Sequence, residues 1–337
     1  MSNLEHPFAP FIQTLGRGKR GSRALTQQQA YDAMSMILAE QVQDVQLGAF
    51  LMLMRVKEET PAEVAGFTQA VTAHLAPLLS DINQTIDLDW PSYAGKRRHL
   101  PWFVLAALLL AENGIKILMH GASGHTQGRL YTEDALATLG IPSAASIPEA
   151  MHRITQHHFA FLPLRILSPK LQALIDLRPM LGLRSPVHTV ARMINPCQAP
   201  YSMQGIFHPG YLSIHQQAGQ QLNQYNLISF RGDGGESECR PDNNTVIHWL
   251  KNGELLETDW PALVNQRQTK DDNLALTKLI DVWRGTELDS YGHNAIISTA
   301  GLALHFTERA KSVGEAIALA EQMWSNRSKE AYPLSSG

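Results

Sequence analysis

The densest apolar stretch of the chain runs from Trp102 to Ala111, where every position is apolar. Pro101 precedes it, where a preset φ suits a helix start and the missing N–H would be orphaned anyway. Gly114 follows, in the place just past a helix end. The pattern predicts a helix over Pro101–Asn113 that is covered on most sides. Ile115–Met119 then reads as an interior strand. His120-Gly-Ala-Ser-Gly-His125 reads as the loop at that strand's carboxyl end, where α/β folds place ligands.

Residues 1–80 carry helical periodicity only. Phe8, Phe11, Ile12 and Leu15 form one stripe, and Tyr31, Met34 and Leu38 a second, opened by a Thr26…Gln29 capping box. A third helix is expected from Asp44, with Leu47, Phe50, Leu51 and Met54 on one face. Thr60-Pro-Ala-Glu63 opens a fourth, with the stripe Val64, Phe67, Val71 and Leu75. Beyond Asp81 the periods alternate. Helices are expected at Thr132–Leu139, at Leu171–Leu183 with a break near Pro179, at Asn294–Phe306 and at Ser312–Trp324, the last opened by Ser312…Glu315. Strands are expected at Phe159–Leu162 and Leu227–Phe230, and a hairpin at Thr245–Leu250 and Glu254–Glu257 around Asn252-Gly253. Asp89 to Leu100 reads as a loop. The expected class is α/β: a small N-terminal all-helical bundle and a larger domain with a mostly parallel central sheet flanked by helices.

Composition adds limits. With 337 residues, 44% apolar and 18% charged, the chain has the makings of two domains and ample core. A net charge of −3 means that any polyanion must be met by local patches. Cys197 and Cys239 have no second Cys or His at ligand spacing, so a reduced, cytoplasmic setting is expected. No signal segment and no bilayer-length apolar run is seen, and no membrane association is expected.

Two basic stretches change the picture. Gly16-Arg-Gly-Lys-Arg-Gly-Ser-Arg23 carries four cations, three glycines and no acid. Arg17, Lys19, Arg20 and Arg23 are either a solvated linker or a polyphosphate contact that would release counterions. Lys96, Arg97 and Arg98 offer the same two readings, with Tyr93 and Trp102 beside them as base-stacking groups or core. His120 and His125 are better suited to ordering a loop or touching a phosphate than to holding a metal. Asp233, Glu236 and Glu238, in a glycine-rich acidic loop after Arg231, either hold Mg²⁺ or form a metal-free turn. No Ser-His-Asp order stands out.

The order of segments resembles anthranilate phosphoribosyltransferase and the related pyrimidine nucleoside phosphorylases, over nearly the whole chain. The resemblance is carried by LTQQQAYDAM and DVQLGAFLMLMRVKEETPAEVAGFTQAV, by His120-Gly121, by Leu181-Gly-Leu-Arg184 and by Asn195-Pro196. It implies a bundle over 1–80 joined in space by about 168–191, an α/β domain over 81–167 and 192–337, and a homodimer through the helical domain. The chemistry-bearing motifs depart from the family's. Its diphosphate loop, Gly-Thr-Gly-Gly-Asp, falls on Pro91-Ser-Tyr-Ala-Gly95. The lysine before its His-Gly is Met119. A substrate-side His is Ser168. Its Asp-Glu metal pair falls in Asp233-Gly-Gly-Glu-Ser237, with Glu238 one place late. Arg184 matches an arginine that contacts anthranilate, and Arg129 lies near a lysine of the phosphate site. The GRGK loop at Gly16–Lys19 and the PSYxG loop at Pro91–Gly95 resemble the divergent branch typified by the bacterial protein YbiB, associated with nucleic-acid binding as dimers.

Two functions are therefore expected in order. The first is a homodimer that binds DNA or RNA, single strands favoured, with little sequence specificity, through Arg17, Lys19, Arg20, Arg23, Lys96, Arg97 and Arg98. It requires no cofactor. The alternative is a phosphoribosyltransferase using phosphoribosyl diphosphate and Mg²⁺. It would place phosphate at His120, Gly121, Ser123 and Arg129, an aromatic acceptor at Arg184, and Mg²⁺ at Asp233, Glu236 and Glu238.

Overall fold

A computed structural model describes residues 5–82, 84–268 and 270–332. The first four helices are α1 (Ala9–Gly16), α2 (Gln27–Leu38), α3 (Asp44–Lys57) and α4 (Pro61–Leu79). The capping boxes at Thr26 and Thr60 form as the sequence requires. Glu63 goes further than a cap. Its buried carboxylate accepts from the backbone N–H of Leu25 at 2.8 Å and of Thr60 at 2.9 Å, and pairs with Lys57 at 2.8 Å. One acid thus ties the start of α4 to the segment entering α2 and to the end of α3.

A seven-stranded sheet follows, with β1 (Leu88–Ser92), β2 (Ile117–Gly121), β3 (Phe159–Pro163), β4 (Tyr201–Ile206), β5 (Asn226–Arg231), β6 (Thr245–Lys251) and β7 (Glu254–Trp260). The spatial order is β3-β2-β1-β4-β5-β6-β7. β1 to β5 run parallel, and β6 and β7 add antiparallel at one edge. The β6–β7 hairpin turns on Asn252 and Gly253, both at positive φ, as a two-residue turn demands.

β1 is the element that the sequence concealed. Asp89 to Ser92 belong to a central strand, not to a loop, although Pro91 sits within it. A proline lacks a ladder donor, which argues against an interior strand. The contradiction resolves in the register: β4 pairs only with Leu88 and Asp89, so Pro91 lies beyond that ladder. β2 also begins later than Ile115 and takes in His120 and Gly121. Gly121 is a backbone-contact position. A Cβ there would stand 2.1 Å from the Ser92 carbonyl oxygen of β1. Gly121→Ala is expected to cost about 1–3 kcal/mol by overpacking. A lowered urea midpoint at unchanged m-value would show it.

Helices α5 (Trp102–Glu112), α6 (Thr132–Thr138), α7 (Ile147–His157), α8 (Leu164–Leu167), α9 (Pro169–Asp176), α10 (Arg178–Leu181), α11 (Val187–Met193), α12 (Leu212–Gln221), α13 (Lys278–Arg284), α14 (Ser290–Phe306) and α15 (Val313–Asn326) complete the chain. α5 is buried from Trp102 to Ala111, packed between the sheet and α14. Ser312 caps α15, but Glu315 reaches the N–H of Lys311 rather than closing a box. The core divides into two large clusters and a small third of Val64, Ala65, Met193, Ala218, Leu227 and Leu250. One large cluster centres on α5, α14 and the sheet. The other gathers α1–α4 with Leu171, Leu174, Ile175, Val187, Val190 and Ala191. Among the described residues no helix is long and apolar enough to cross a membrane.

Candidate functional site

The sequence-selected loops follow the carboxyl ends of β1, β2 and β5, and they converge. Lys96 is the first surprise. It is fully buried, not a surface cation, and its ammonium bridges Asp233 and Glu238. Its backbone is pinned as well, exchanging two 2.8 Å hydrogen bonds with Leu130. Lys96 therefore leaves the set of nucleic-acid-facing residues. The loop's neighbours are clamped in the same way. Asp271 accepts from the Leu100 N–H at 2.7 Å and binds His99 Nδ1 at 2.9 Å, while the His99 ring stacks on Tyr291. Only Arg97 and Arg98 project into solvent.

The acidic loop is equally committed. Glu236 Oε1 accepts from the N–H groups of Ala94, at 2.7 Å, and Gly95, at 2.5 Å. Glu238 Oε2 accepts from the Phe103 N–H at the start of α5, at 2.8 Å. Burial pushes the Glu238 carboxyl up to about 7 against the pull of Lys96, and Asp233 is held below its ordinary value by Lys96 despite its burial. These residues do not fit the Mg²⁺ site expected of Asp233, Glu236 and Glu238. Most of their bonded oxygens face an ammonium and backbone amides, the buried Glu236 Oε2 being without a partner among the described residues, and a hard cation needs several free oxygen ligands at once.

His120 and Tyr93 are also corrected. Both are fully buried, so neither a phosphate contact for His120 nor base stacking for Tyr93 is open to them. They belong to a chain of hydrogen bonds through the sheet. Tyr93 O–H meets His120 Nδ1 at 2.7 Å, and His120 Nε2 donates to Asp89 at 3.1 Å. Ser202 donates to Asp89 at 2.7 Å, Gln204 donates to Ser202 at 3.2 Å, and His215 Nδ1 meets Gln204 Oε1 at 2.7 Å. Every buried polar group in this chain has a partner, which favours one fixed arrangement. Gly121 is likewise occupied by strand contact. Trp102 is core.

A cluster of arginines lies next to these groups. Arg129 Nη1 donates to the carbonyls of Ala94, Gly95 and Gly234, at 2.9, 2.8 and 3.3 Å, and so staples the Tyr93 loop to the acidic loop. Arg178 donates to the His125 carbonyl at 2.8 Å and to Thr126. Arg184 donates to Thr126 at 3.3 Å. Arg192 is buried, donates to the His188 carbonyl at 2.7 Å and lies 6.0 Å over the Tyr93 ring. Among the described residues none of the four pairs with a carboxylate. Burial and the neighbouring Arg192, Arg129 and Arg178 push Arg184 down to about 10. Burial and Arg184 push His125 down to about 3, and burial drives His188 well below its ordinary value. Arg184, Ser185, His188, Arg192 and Tyr211 line a cavity of about 110 Å³. Ser185 Oγ, His188 Nε2 and Arg129 Nε are buried without a partner. Glu236 acts on Arg192 through its charge, and guanidinium groups without direct carboxylate pairs make an anion-accepting wall. Ser123 stands apart, half-buried and near Glu133.

The N-terminal basic loop is a formed turn. Ser22 Oγ donates to the Leu15 carbonyl at 2.7 Å, the Arg23 N–H to Thr14 at 3.0 Å, and Gly18 takes φ +76°. Arg17, Lys19, Arg20 and Arg23 are all exposed, and none is ion-paired among the described residues. Sequence reasoning selected these cations and Arg184. It missed Arg178, Arg192 and His188, which lie on short helices where a cation reads as a solvated face.

The helical bundle domain of the glycosyl transferase family matches residues 9–75, and that family's a/b domain matches residues 104–328. The Escherichia coli protein YbiB is 28% identical over 72% of this chain and 87% of its own length. Anthranilate phosphoribosyltransferase of Bacillus cereus is 25% identical, over 88% of each chain. The crystal structure of the Thermus thermophilus anthranilate phosphoribosyltransferase superposes with a TM-score of 0.76 at 20% identity, over 94% of each chain. The Saccharomyces cerevisiae enzyme, solved in complex with PRPP and Mg, superposes with a TM-score of 0.74 at 14% identity, over 94% of this chain and 93% of that one. With the bundle, the mostly parallel sheet and both domain matches in place, the chain belongs to the glycosyl transferase family built from a helical bundle domain and an a/b domain.

Proposed function

We propose that this chain is a nucleic-acid-binding protein on an anthranilate phosphoribosyltransferase-like scaffold, with little sequence specificity and a preference for single strands. One observation carries the reading. Arg17, Lys19, Arg20 and Arg23 project from a fixed turn with no acid paired to them, while the acidic loop of the ancestral centre is engaged by Lys96 and by amides. Arg97 and Arg98 add exposed charge. Contacts of this type go to phosphates and carry no base code. The protein acts as a homodimer through its helical layer. Val45, Ala49, Met52 and Val56 form one stripe of α3, with Val45 79% and Val56 82% exposed. Two such valines on one face suit a second copy.

Fluorescence anisotropy with labelled single-stranded DNA, RNA and duplex tests the reading. Binding is expected near 50 mM salt and is expected to weaken steeply by about 200 mM. No binding to any of the three at the lower salt overturns it. Light scattering reads the mass of the free protein.

Phosphoribosyl transfer is the second reading. Arg129, Arg184 and the likeness to anthranilate phosphoribosyltransferases support it. Isothermal titration with phosphoribosyl diphosphate and Mg²⁺ tests it, and saturable heat would bring it forward.

A further inference from the structure

We infer that the ammonium of Lys96 stands where a divalent cation would otherwise bridge Asp233 and Glu238, so that this cleft is metal-independent. The inference is separate from nucleic-acid binding and does not rest on it. Three observations meet at one atom. First, Lys96 Nζ bonds a carboxylate oxygen of each acid, and the acids come from the same loop after β5. Two buried carboxylates side by side are costly unless a cation joins them, and a lysine supplies three donors and one positive charge at a point. Second, the oxygens nearest the ammonium are otherwise engaged, Glu238 Oε2 by the Phe103 N–H and Glu236 Oε1 by Ala94 and Gly95, while the buried Glu236 Oε2 is left without a hydrogen-bond partner among the described residues. Third, the two loops are held against each other. A Cβ on Gly234 would lie 3.3 Å from the Gly95 carbonyl oxygen and 3.6 Å from Lys96 Cδ. Arg129 bonds both loops, and the Lys96–Leu130 bridge fixes the backbone from which the ammonium hangs.

The competing account is an ordinary buried ion pair whose carboxylates have no capacity for metal. Manganese separates the two, because its paramagnetism reports free and bound ion directly. The probe is MnCl₂ on the full-length protein, followed by electron paramagnetic resonance. Wild type is expected to bind no Mn²⁺ that depends on Asp233. Lys96→Ala is expected to bind one equivalent at least tenfold tighter than wild type, to gain thermal stability on adding MnCl₂, and to lose both effects in Lys96→Ala/Asp233→Asn. Removing the ammonium can also prevent folding. Refolding of Lys96→Ala is therefore compared with and without about 1 mM MnCl₂, a concentration at which mass action would stabilise a metal-bound fold. Folding only with Mn²⁺ supports the inference. It is overturned if wild type binds an Mn²⁺ that Asp233→Asn removes, if folded Lys96→Ala binds none, or if Mn²⁺ rescues nothing.

Discussion

Replacing Arg17, Lys19, Arg20 and Arg23 together by alanine is expected to lower affinity for single-stranded DNA by at least tenfold and to flatten its salt dependence. Each phosphate neutralised on a single strand contributes roughly 0.7 to the slope of log K against log salt. Four lost contacts should therefore reduce the slope by up to about 3. The variant should stay folded, because these side chains are exposed and the turn is held by the Ser22 hydroxyl and backbone bonds. Surface changes of this kind stay within about 0.5 kcal/mol. An affinity drop without a change of slope would point to a structural effect of the loop, and an unchanged affinity would remove these four residues from the interface. Arg97→Ala/Arg98→Ala gives a matched comparison from the other exposed stretch.

The fold was open to a reader of the sequence wherever period and punctuation agreed. α2 and α4 announce themselves by capping boxes, and the β6–β7 hairpin by Asn252-Gly253. α5 follows from an unbroken apolar run with Pro before it and Gly after it. β1 escaped because Leu-Asp-Trp-Pro-Ser shows no alternation and contains a proline. Only the register, with β4 stopping at Asp89, explains why Pro91 is harmless. β4 and α12 have polar residues inside, since Ser202, Gln204 and His215 bond one another within the core. A pattern argument scores such residues as surface.

The site was legible as a neighbourhood and illegible as a set of pairings. The cationic loop before α5, the His120 strand end and the acidic loop after β5 do come together, as the positions at the sheet's carboxyl ends require. What sequence could not supply is which partner each charge finds. Lys96, Arg97 and Arg98 are consecutive and look equivalent, yet one is sealed inside and two are in water. The difference lies with Asp233 and Glu238, more than a hundred positions away. Arg192 was passed over for the converse reason. Its guanidinium is buried without a direct ion pair, with the charge of Glu236 acting on it from the acidic loop, and nothing local in the sequence marks such a position.

Acid should unfold this protein early, and His215 should be measurably part of the cause. His215, His125 and His188 are buried as neutral rings. Burial pushes His215 and His125 down to about 3, with the charge of Arg192 opposing protonation of the former and Arg184 that of the latter. The unfolded chain takes up these protons near pH 6.5, and the folded chain refuses them until about pH 3. Between those values the unfolded state binds more protons, so stability falls as pH falls. Each such ring contributes a slope of up to about 1.4 kcal/mol per pH unit. Glu238 and Glu59 work the other way, because their carboxyls are raised by burial and hold protons that the unfolded chain releases. Comparison with a variant cancels those opposing terms. His215→Gln can still donate toward Gln204 while having nothing to titrate. Its urea-unfolding free energy, followed from pH 6.5 to 5, is expected to fall less steeply than that of wild type by about 1 kcal/mol per pH unit on average, because the unfolded imidazole is only half protonated at the upper end. Parallel pH profiles for the two proteins would mean that His215 already carries its proton in the folded state.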